Sequence, residues 1–525
     1  MDLPILLHQY FDLTAHRFPE KTALVCDQDR ISYSSLFFHA EHLSDKLSDL
    51  GISKQDRIII FLDNSPEIAI ALYGILKTDA IFIVLNGSLK PKKLSYIIND
   101  SSAAILITHT NKASVVKDAL NSVEHDMQLI WLGPENRIPL SLSNQSFHWN
   151  EILSGLNQNS SLGAPIFHIR SSKSIDLDLA SLIYTSGSTG EPKGVMSSHR
   201  NMISAARSII TYLENTPDDI TLNVLPLSFD YGLYQVIMSL IFGGTVVLEK
   251  SFQYMHSVLS KIATENVTGF PIVPTILAMI LRMKDVHEYN IDSLRYISNT
   301  GAALPVEHIQ KFRKLFPTVK VYSMYGLTEC KRVSYMPPAE IDRKPDSVGK
   351  AMPNCEVNIV DENGKEVESG EIGELVIRGS NVMKGYWKAP ELTAKYFRND
   401  IIPGETVLYS GDLFRMDDDG YLYFVGRKDD MIKSRGERLS AREIENTIHE
   451  MNDISEVAVV GVPDEIFGQV IKAVIVAKPG TQISNNDVLA FCTRNMEPFA
   501  VPKYIEFVNE LPRTPNGKID KSLLL

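Results

Sequence analysis

The sequence predicts an α/β protein: a large N-terminal domain of layered helices and strands with a β-rich subdomain, followed by a small α+β C-terminal domain. Three observations predict this. Through residues 1–150 and again through 179–350, helix-period and strand patterns alternate, as parallel strands covered by helices require. After residue 350 strand patterns follow one another with turn residues between them, and in the last hundred residues a short βα alternation returns. At 525 residues the chain is also too long for a single compact core.

Taken in order, residues 33–47 carry an amphipathic helix pattern, 57–61 a strand, 66–77 a helix and 80–85 a strand. The polar stretch 155–178 reads as a surface connection. It ends at Leu179-Ala180-Ser181-Leu182-Ile183-Tyr184, an apolar run predicted to be a buried strand. Buried strands are expected again at 220–225, 244–248, 267–271 and 319–323. Residues 356–365 form a strand entering an Asx-Gly turn, and 374–379 and 421–426 continue the β-rich region. The C-terminal part reads as helix 441–449, strands 456–462 and 471–477, helix 485–494 and strand 505–508. The polar run Gly426-Arg427-Lys428-Asp429-Asp430 is the expected junction, dividing the chain into domains 1–426 and 427–525.

Composition removes several function classes. Hydrophobic and charged contents of 44% and 22% belong to an ordinary globular protein rather than a disordered one. A net charge of −12 argues against a broad nucleic-acid-binding face, while leaving room for a local basic pocket. Cys26, Cys330, Cys355 and Cys492 are scattered, with neither zinc-ligand spacing nor a disulfide framework, so a reducing compartment is expected. The N-terminus lacks a basic n-region with an apolar core, and no apolar run approaches the ~20 residues of a membrane span. A soluble cytoplasmic protein, with no nucleic-acid partner and no membrane span, is the expectation.

The stretch after the apolar run is rich in chemistry: Thr185-Ser186-Gly187-Ser188-Thr189-Gly190-Glu191-Pro192-Lys193-Gly194-Val195. Glycines let backbone N–H groups close around an anion, hydroxyls add donors and Lys193 adds a positive charge. These are the groups that hold a triphosphate. The pattern differs from the common P-loop, which requires Gly-Lys-Ser/Thr; here Pro192 precedes Lys193 and Gly194 follows it.

Four further motifs follow: Tyr325-Gly326-Leu327-Thr328-Glu329, Tyr409-Ser410-Gly411-Asp412-Leu413, Gly426-Arg427-Lys428-Asp429-Asp430-Met431-Ile432-Lys433 and Pro515-Asn516-Gly517-Lys518-Ile519-Asp520. In this order and spacing, the set resembles the adenylate-forming superfamily of acyl-CoA synthetases, adenylation domains of nonribosomal peptide synthetases and luciferases, over nearly the whole chain. The resemblance implies that a carboxylic acid is activated with ATP to an acyl-adenylate and then passed to a thiol. It implies that Thr185, Ser186, Gly187, Ser188, Thr189, Gly190 and Lys193 hold the β- and γ-phosphates. Thr328 would donate to the α-phosphate, and Glu329 would help to hold Mg²⁺, a hard cation that bridges phosphates. Tyr325 with Gly326 would pack against adenine, and Gly301 and Ala302 would let the backbone approach the purine edge. Asp412 would accept the ribose hydroxyls with Arg427 nearby. Lys518 would bridge the acid and the ribose-phosphate oxygens, offsetting the negative charge that concentrates in the transition state. In such proteins the small domain is mobile and pivots at the position matching Asp429, bringing Gly436-Glu437-Arg438 to the site in place of Lys518.

The acid and the thiol are read from fewer residues. Phe229-Asp230 matches the amino-acid-activating members, in which the aspartate pairs with the substrate ammonium. A buried aspartate is costly unless it meets a cation, although a backbone-capping aspartate also fits. The resemblance places Arg332 and Val333 at the far wall of the acid pocket, where a guanidinium would hold a second carboxylate. Ser298 and Thr300 would add hydroxyls, and Tyr234, Pro271 and Met324 would complete the walls. An amino acid, including a β-amino or dicarboxylic one, fits this set; a structural or surface ion pair involving Lys331 and Arg332 is the competing reading. Nothing resembling a carrier domain follows Lys518, so a separate phosphopantetheine-bearing carrier protein is expected as acceptor, with Lys428, Lys433, Arg435 and Arg438 as its basic docking patch. The rival readings are an AMP-forming ligase of a non-amino acid that uses free coenzyme A, and a catalytically silent binding protein.

Overall fold

The computed structural model describes residues 3–153, 172–186, 191–399, 404–428, 432–434, 437–464, 468–496, 498, 500–514 and 519–525. They form two compact units. The first gathers Met1–Ala339, Ala351–Glu356 and Arg378–Leu408, and the second Glu340–Lys350, Val357–Ile377 and Tyr409–Leu525.

The first unit is built on two mainly parallel sheets. One runs in the order Ser146–His148, Gln128–Leu132, Ile105–His109, Arg57–Leu62, Ile81–Asn86, Leu179–Ser186, Pro192–Ser198. Its central strands are continuous apolar runs such as Ile58-Ile59-Ile60-Phe61, all fully buried, because helices cover both faces of a parallel sheet. The core around Phe61, Ile83, Leu106, Trp131 and Leu182 follows from that. The last two strands are an antiparallel hairpin, with Thr185 opposite Lys193.

The other sheet runs Lys350–Ala351, Ser334–Tyr335, Lys320–Tyr325, Tyr296–Asn299, Gly269–Ile272, Ile220–Asn223, Thr245–Leu248, Thr22–Cys26, Asp29–Ser32. Six of these strands, from Lys320–Tyr325 to Thr22–Cys26, lie parallel. The strands and helices expected from the sequence in this unit are present with shifts of one or two residues. Several further strands were not among those expected, and two of them show why. Tyr296–Asn299 mixes polar and apolar residues in four positions and is held by pairing on both sides. Pro192–Ser198 begins with the residues least suited to a strand, but it lies at an edge, where proline does no damage.

A buried charge cluster ties the first three helices together. Lys77, with no side-chain exposure, donates to Asp12 at 2.5 Å and to Glu41 at 2.6 Å. It follows helix Pro66–Leu76, and its partners lie on Leu7–Arg17 and Tyr33–Asp49. Burial pushes the Asp12 carboxyl up to about 6, against the pull of Lys77.

In the second unit, Thr406–Met416 and Leu422–Arg427 pair antiparallel from Asp412↔Arg427 to Met416↔Leu422. Asn363 and Lys365 donate to the Asp361 carboxylate in the expected Asx turn. The C-terminal sheet is ordered Glu437–Leu439, Ile432–Ser434, Gly468–Ala477, Ile454–Asp464, with Tyr504–Phe507 parallel to Gly468–Ala477. Helices Ala441–His449 and Asn485–Asn495 supply Ile444, Ile448, Val488 and Cys492 to its core. Ser440 caps the first of these helices through the Glu443 N–H, as its place before an acidic first turn requires. Among the described residues no helix is long and apolar enough to cross a membrane.

Replacing Lys77 with Met leaves two carboxylates facing apolar surroundings. Breaking one side of a buried ion cluster costs about 3–5 kcal/mol. Urea unfolding of Lys77→Met is therefore expected to show a midpoint well below that of the parent chain, and an unchanged midpoint would contradict this role.

Candidate active site

In the first unit the predicted residues collect at the carboxyl ends of parallel strands, where crevices open in sheets of this kind. Pro271 lies opposite Ser298, and Ser298 opposite Tyr322. Chain continuing past these ends supplies Thr300, Gly301 and Ala302, and Asn299 Nδ2 fixes the turn by donating to the Ala302 carbonyl at 2.8 Å. Gly301 has φ +87°, a conformation that favours glycine. Helix Asp230–Phe242 starts at the same edge. The Tyr231 hydroxyl donates to the Ser298 carbonyl at 2.6 Å and lies 2.8 Å from Ser298 Oγ, joining helix to strand.

Strand Lys320–Tyr325 then reverses into Ser334–Tyr335, and the loop between them carries Thr328, Glu329, Lys331 and Arg332. Its ends are sealed by Tyr325↔Ser334 pairing and by the Val333 N–H to Tyr325 carbonyl bond at 2.9 Å. Lys331 takes a left-handed φ of +65°, which turns the chain inward. A Cβ on Gly326 would lie 2.2 Å from the Lys331 carbonyl oxygen, so only glycine lets the loop close.

Residues 381–387 strap this loop to the glycine-rich hairpin. The Tyr386 hydroxyl donates to Glu329 Oε1 at 2.6 Å, and the Met383 N–H donates to the Glu329 carbonyl at 2.9 Å. Asn381 Nδ2 donates to the Cys330 and Arg332 carbonyls, both at 3.0 Å. On the hairpin side, the Met196 N–H donates to the Gly385 carbonyl, Lys384 returns a bond to Met196, and Trp387 donates to Gly194 at 2.7 Å. Gly194 lies so close to Tyr184 and Trp387 that a Cβ would approach them at 3.2 and 3.3 Å.

The charges of the acid-pocket residues are buried. Lys331 and Arg332 are only 1% and 4% exposed, which removes the surface reading of this pair. Arg332 stacks on Tyr231 at 4.6 Å, and its Nη1 donates to the Lys331 carbonyl at 2.6 Å; its Nε is buried without a hydrogen-bond partner. Lys331 Nζ donates to the Thr328 carbonyl at 3.3 Å and approaches the Tyr234 ring at 5.7 Å. Burial lowers the Lys331 ammonium to about 8, while the nearby Asp230 and Glu329 carboxylates oppose the shift. Asp230 is buried in the first turn of its helix, whose N-terminus is capped by no side chain. The Tyr234 hydroxyl and Thr300 Oγ1 are likewise buried with no hydrogen-bond partner. Met324 packs below, accepting from the Tyr212 hydroxyl at 2.9 Å, and Phe229 meets Tyr231 edge-on. Cys330 is fully buried and its thiol is pushed well above the usual range, so it is inert packing.

In the second unit, Asp412 is buried opposite Arg427, whose Nε lies 3.2 Å from its Oδ1. Gly411, with φ +73°, precedes it. Glu374 accepts from the Gly411 N–H and from Lys428 Nζ, holding both chain segments. Among the described residues no cluster of three His, Cys, Asp or Glu side chains is suited to a metal. A single carboxylate such as Glu329 suits Mg²⁺ when substrate phosphates supply its other ligands.

The structure thus brings together Phe229, Asp230, Tyr234, Pro271, Ser298, Thr300, Gly301, Ala302, Met324, Tyr325, Gly326, Thr328, Glu329, Arg332 and Val333 at one sheet edge of the first unit. Thr185 and Lys193 sit on the hairpin that the strap ties to Glu329. Asp412 and Arg427 pair in the second unit. Gly187, Ser188, Thr189, Gly190, Asp429, Arg435, Gly436 and Lys518 lie outside the described residues, as do the side chains of Ser186, Lys433 and Arg438. Sequence reasoning missed Tyr231, Tyr386 and Asn381, and it left Lys331 without a role at the site. A lysine next to an arginine after two polar residues carries no sign of burial, and Tyr386 lies 57 residues from the carboxylate it holds.

Comparison with known proteins identifies relatives over nearly the whole chain. Residues 11–387 match the family model described as AMP-binding enzyme, and 443–518 match its C-terminal domain. The chain is 30% identical to the long-chain-fatty-acid–CoA ligase of Bacillus subtilis, over 98% of this chain and 92% of that protein. It is 28% identical to part of tyrocidine synthase 3 of Brevibacillus parabrevis, covering 99% of this chain and 8% of that protein. A crystal structure of the anthranilate CoA ligase AuaEII in complex with anthranoyl-AMP superposes with a TM-score of 0.87 at 27% identity, covering 100% of this chain and 97% of that one.

Gly326→Ala forces a methyl group against the Lys331 carbonyl. Overpacking of this kind costs about 1–3 kcal/mol. The expected outcome is a lowered urea midpoint, and wild-type stability would show that the loop closes without the glycine.

Proposed function

Because the chain belongs to the AMP-binding enzyme family, and so is an adenylate-forming ligase, we propose the following division of labour for its residues. A carboxylate oxygen of the acid attacks the α-phosphorus of ATP; a P–O bond forms, the bond to pyrophosphate breaks, and an acyl-adenylate results. A thiolate then attacks the acyl carbon, AMP leaves and a thioester forms. No general base is needed in the first step, because the nucleophile is already an anion. Mg²⁺ held by Glu329 supplies positive charge to the phosphates when it is bound.

The observation that carries this reading is the strap 381–387, which fixes Glu329 and the glycine-rich hairpin to one another through Tyr386 and Gly194–Met196 backbone bonds. A phosphate cradle and a metal carboxylate act on one triphosphate only if they are held in fixed relation. In this division Thr185, Ser186, Gly187, Ser188, Thr189, Gly190 and Lys193 hold the outgoing pyrophosphate, and Thr328 donates to the α-phosphate. Tyr325, Gly326, Gly301 and Ala302 receive the adenine. Asp412, supported by Arg427, accepts the ribose hydroxyls. Lys518 neutralises the charge gathering between acid and phosphate, and Asp429 is the pivot on which Lys518 is exchanged for the thiol-accepting arrangement.

The acceptor is the thiol of a phosphopantetheine arm, on a separate carrier protein or on coenzyme A. Phe229-Asp230 supports the carrier form, since it matches the members that activate amino acids. The acid sits among Phe229, Asp230, Tyr234, Pro271, Ser298, Thr300, Met324, Arg332 and Val333, and the buried charges of Asp230 and Arg332 call for a polar group on it besides the reacting carboxylate.

Lys518→Ala is expected to reduce acid-dependent ATP–pyrophosphate exchange by orders of magnitude while ATP still binds; undiminished exchange would remove Lys518 from the chemistry. Tyr386→Phe deletes a hydrogen bond to a charged acceptor, an interaction worth about 1.5–3 kcal/mol. The Mg²⁺ concentration giving half-maximal exchange should rise about tenfold or more. A Mg²⁺ dependence like that of the parent chain would show that Tyr386 does not position Glu329.

A further inference from the structure

Two buried cations and one buried carboxylate lie at the acid pocket, with the half-buried Glu329 carboxylate close to one of the cations. Asp230 contributes a carboxylate; Lys331 and Arg332 contribute two cations, both almost fully buried. Asp230 and Tyr234 stand one helical turn apart on the same face of helix Asp230–Phe242. Lys331 Nζ lies over the Tyr234 ring at 5.7 Å, which places the ammonium beside Asp230. A cation of the chain itself therefore lies near Asp230, beyond direct ion-pair distance, and partly offsets its charge without a substrate ammonium.

Arg332 has no such partner. Among the described residues no carboxylate lies within ion-pair distance of it. Its Nη1 is spent on the neighbouring Lys331 carbonyl, its face on Tyr231, and its Nε is buried with nothing to donate to. Two more buried groups near it are unpartnered. They are the Tyr234 hydroxyl, on the helix that also carries Tyr231, and Thr300 Oγ1, two residues beyond the Ser298 that holds Tyr231. A guanidinium left in apolar surroundings with idle donors is expensive, and a carboxylate is the acceptor that its geometry fits. The Tyr234 hydroxyl, which lies near Arg332, and the Thr300 hydroxyl at the same sheet edge are the further donors available to a two-oxygen anion.

We propose that the acid activated by this protein is a dicarboxylic acid without an α-amino group, whose second carboxylate is bound by Arg332 with Tyr234 and Thr300, while Lys331 takes the place of a substrate ammonium at Asp230. This deepens the ligase reading of the preceding subsection and rests on it. It departs from the amino-acid expectation drawn from Phe229-Asp230 alone, because the loop Gly326–Val333 already brings a cation of the chain near Asp230.

The test is ATP–pyrophosphate exchange by the whole chain with matched acids: succinate, glutarate, adipate and phthalate, the monomethyl ester of each, aspartate and glutamate, and a control panel of alanine, β-alanine, benzoate and octanoate. At least one diacid should exceed its own half-ester by tenfold or more and exceed the amino diacid of equal length. Arg332→Gln should shrink the diacid-to-half-ester ratio to near unity. Lys331→Met, which leaves Asp230 without its internal cation, should move the preference toward the amino diacid. The parent-chain comparison needs no variant, so it stands even where a substitution impairs folding. Half-esters performing as well as diacids, an amino acid exceeding every diacid, or an Arg332→Gln ratio equal to that of the parent would each overturn the inference. Exchange with control acids but with no diacid defeats the inference and leaves the ligase intact; absence of exchange with every acid defeats the ligase reading beneath it.

Discussion

The first unit depends on the closure of one loop. Between Tyr325 and Ser334 the chain must leave a parallel strand, present Thr328 and Glu329, bury Lys331 and Arg332, and return antiparallel beside the strand it left. The constraint that permits this is the contact between Gly326 and the Lys331 carbonyl, closer than any side chain allows. With the loop closed, two cations are carried inward next to helix Asp230–Phe242, and the Glu329 carboxylate is left facing Tyr386. Opened, it would expose both cations to water, and the charge balance of the pocket would no longer exist. Burying two cations beside one carboxylate carries a desolvation cost of several kcal/mol per ion. The strands on either side must hold the loop against that cost.

The strap 381–387 extends the same constraint to the glycine-rich hairpin. Its bonds are mostly backbone to backbone, so they specify geometry with little dependence on side-chain identity. Asn381 satisfies two loop carbonyls that face no water, and Trp387 closes over Gly194. A single stretch of chain therefore sets the distance between the residues assigned to pyrophosphate and the residue assigned to the metal. The same arrangement explains why Lys193 follows a proline and precedes a glycine: Pro192 opens an edge strand, and Gly194 lets Trp387 approach.

Much of the fold was legible in the sequence, for physical reasons that also mark its limits. Runs such as Ile58-Ile59-Ile60-Phe61 can only be buried strands, and Ala441–His449 begins with a serine cap and an acidic first turn. Tyr296–Asn299 was not legible, because a four-residue strand with a serine and an asparagine owes its state to its neighbours and not to its own pattern. Motifs with fixed internal spacing pointed to Thr328 and Glu329 in the first unit and to Asp412 in the second. Lys331 was hidden, since a basic pair reads as solvated unless the return strand that buries it is known. The possibility that Asp230 caps a helix through its own side chain was equally open from the sequence; the helix has no side-chain cap, and Lys331 is a buried cation in the neighbourhood of Asp230.

The central claim is that a carboxylate of the substrate attacks phosphorus and leaves as part of a mixed anhydride with AMP. It is tested most directly with an acid whose carboxylate oxygens are labelled with oxygen-18, turned over with ATP and a pantetheine thiol, and followed by mass spectrometry of the nucleotide product. Attack on the α-phosphorus, then thiolysis at the acyl carbon, deposits one labelled oxygen in each AMP formed and none in pyrophosphate. Label appearing in phosphate or pyrophosphate, or AMP released without label, would contradict the account.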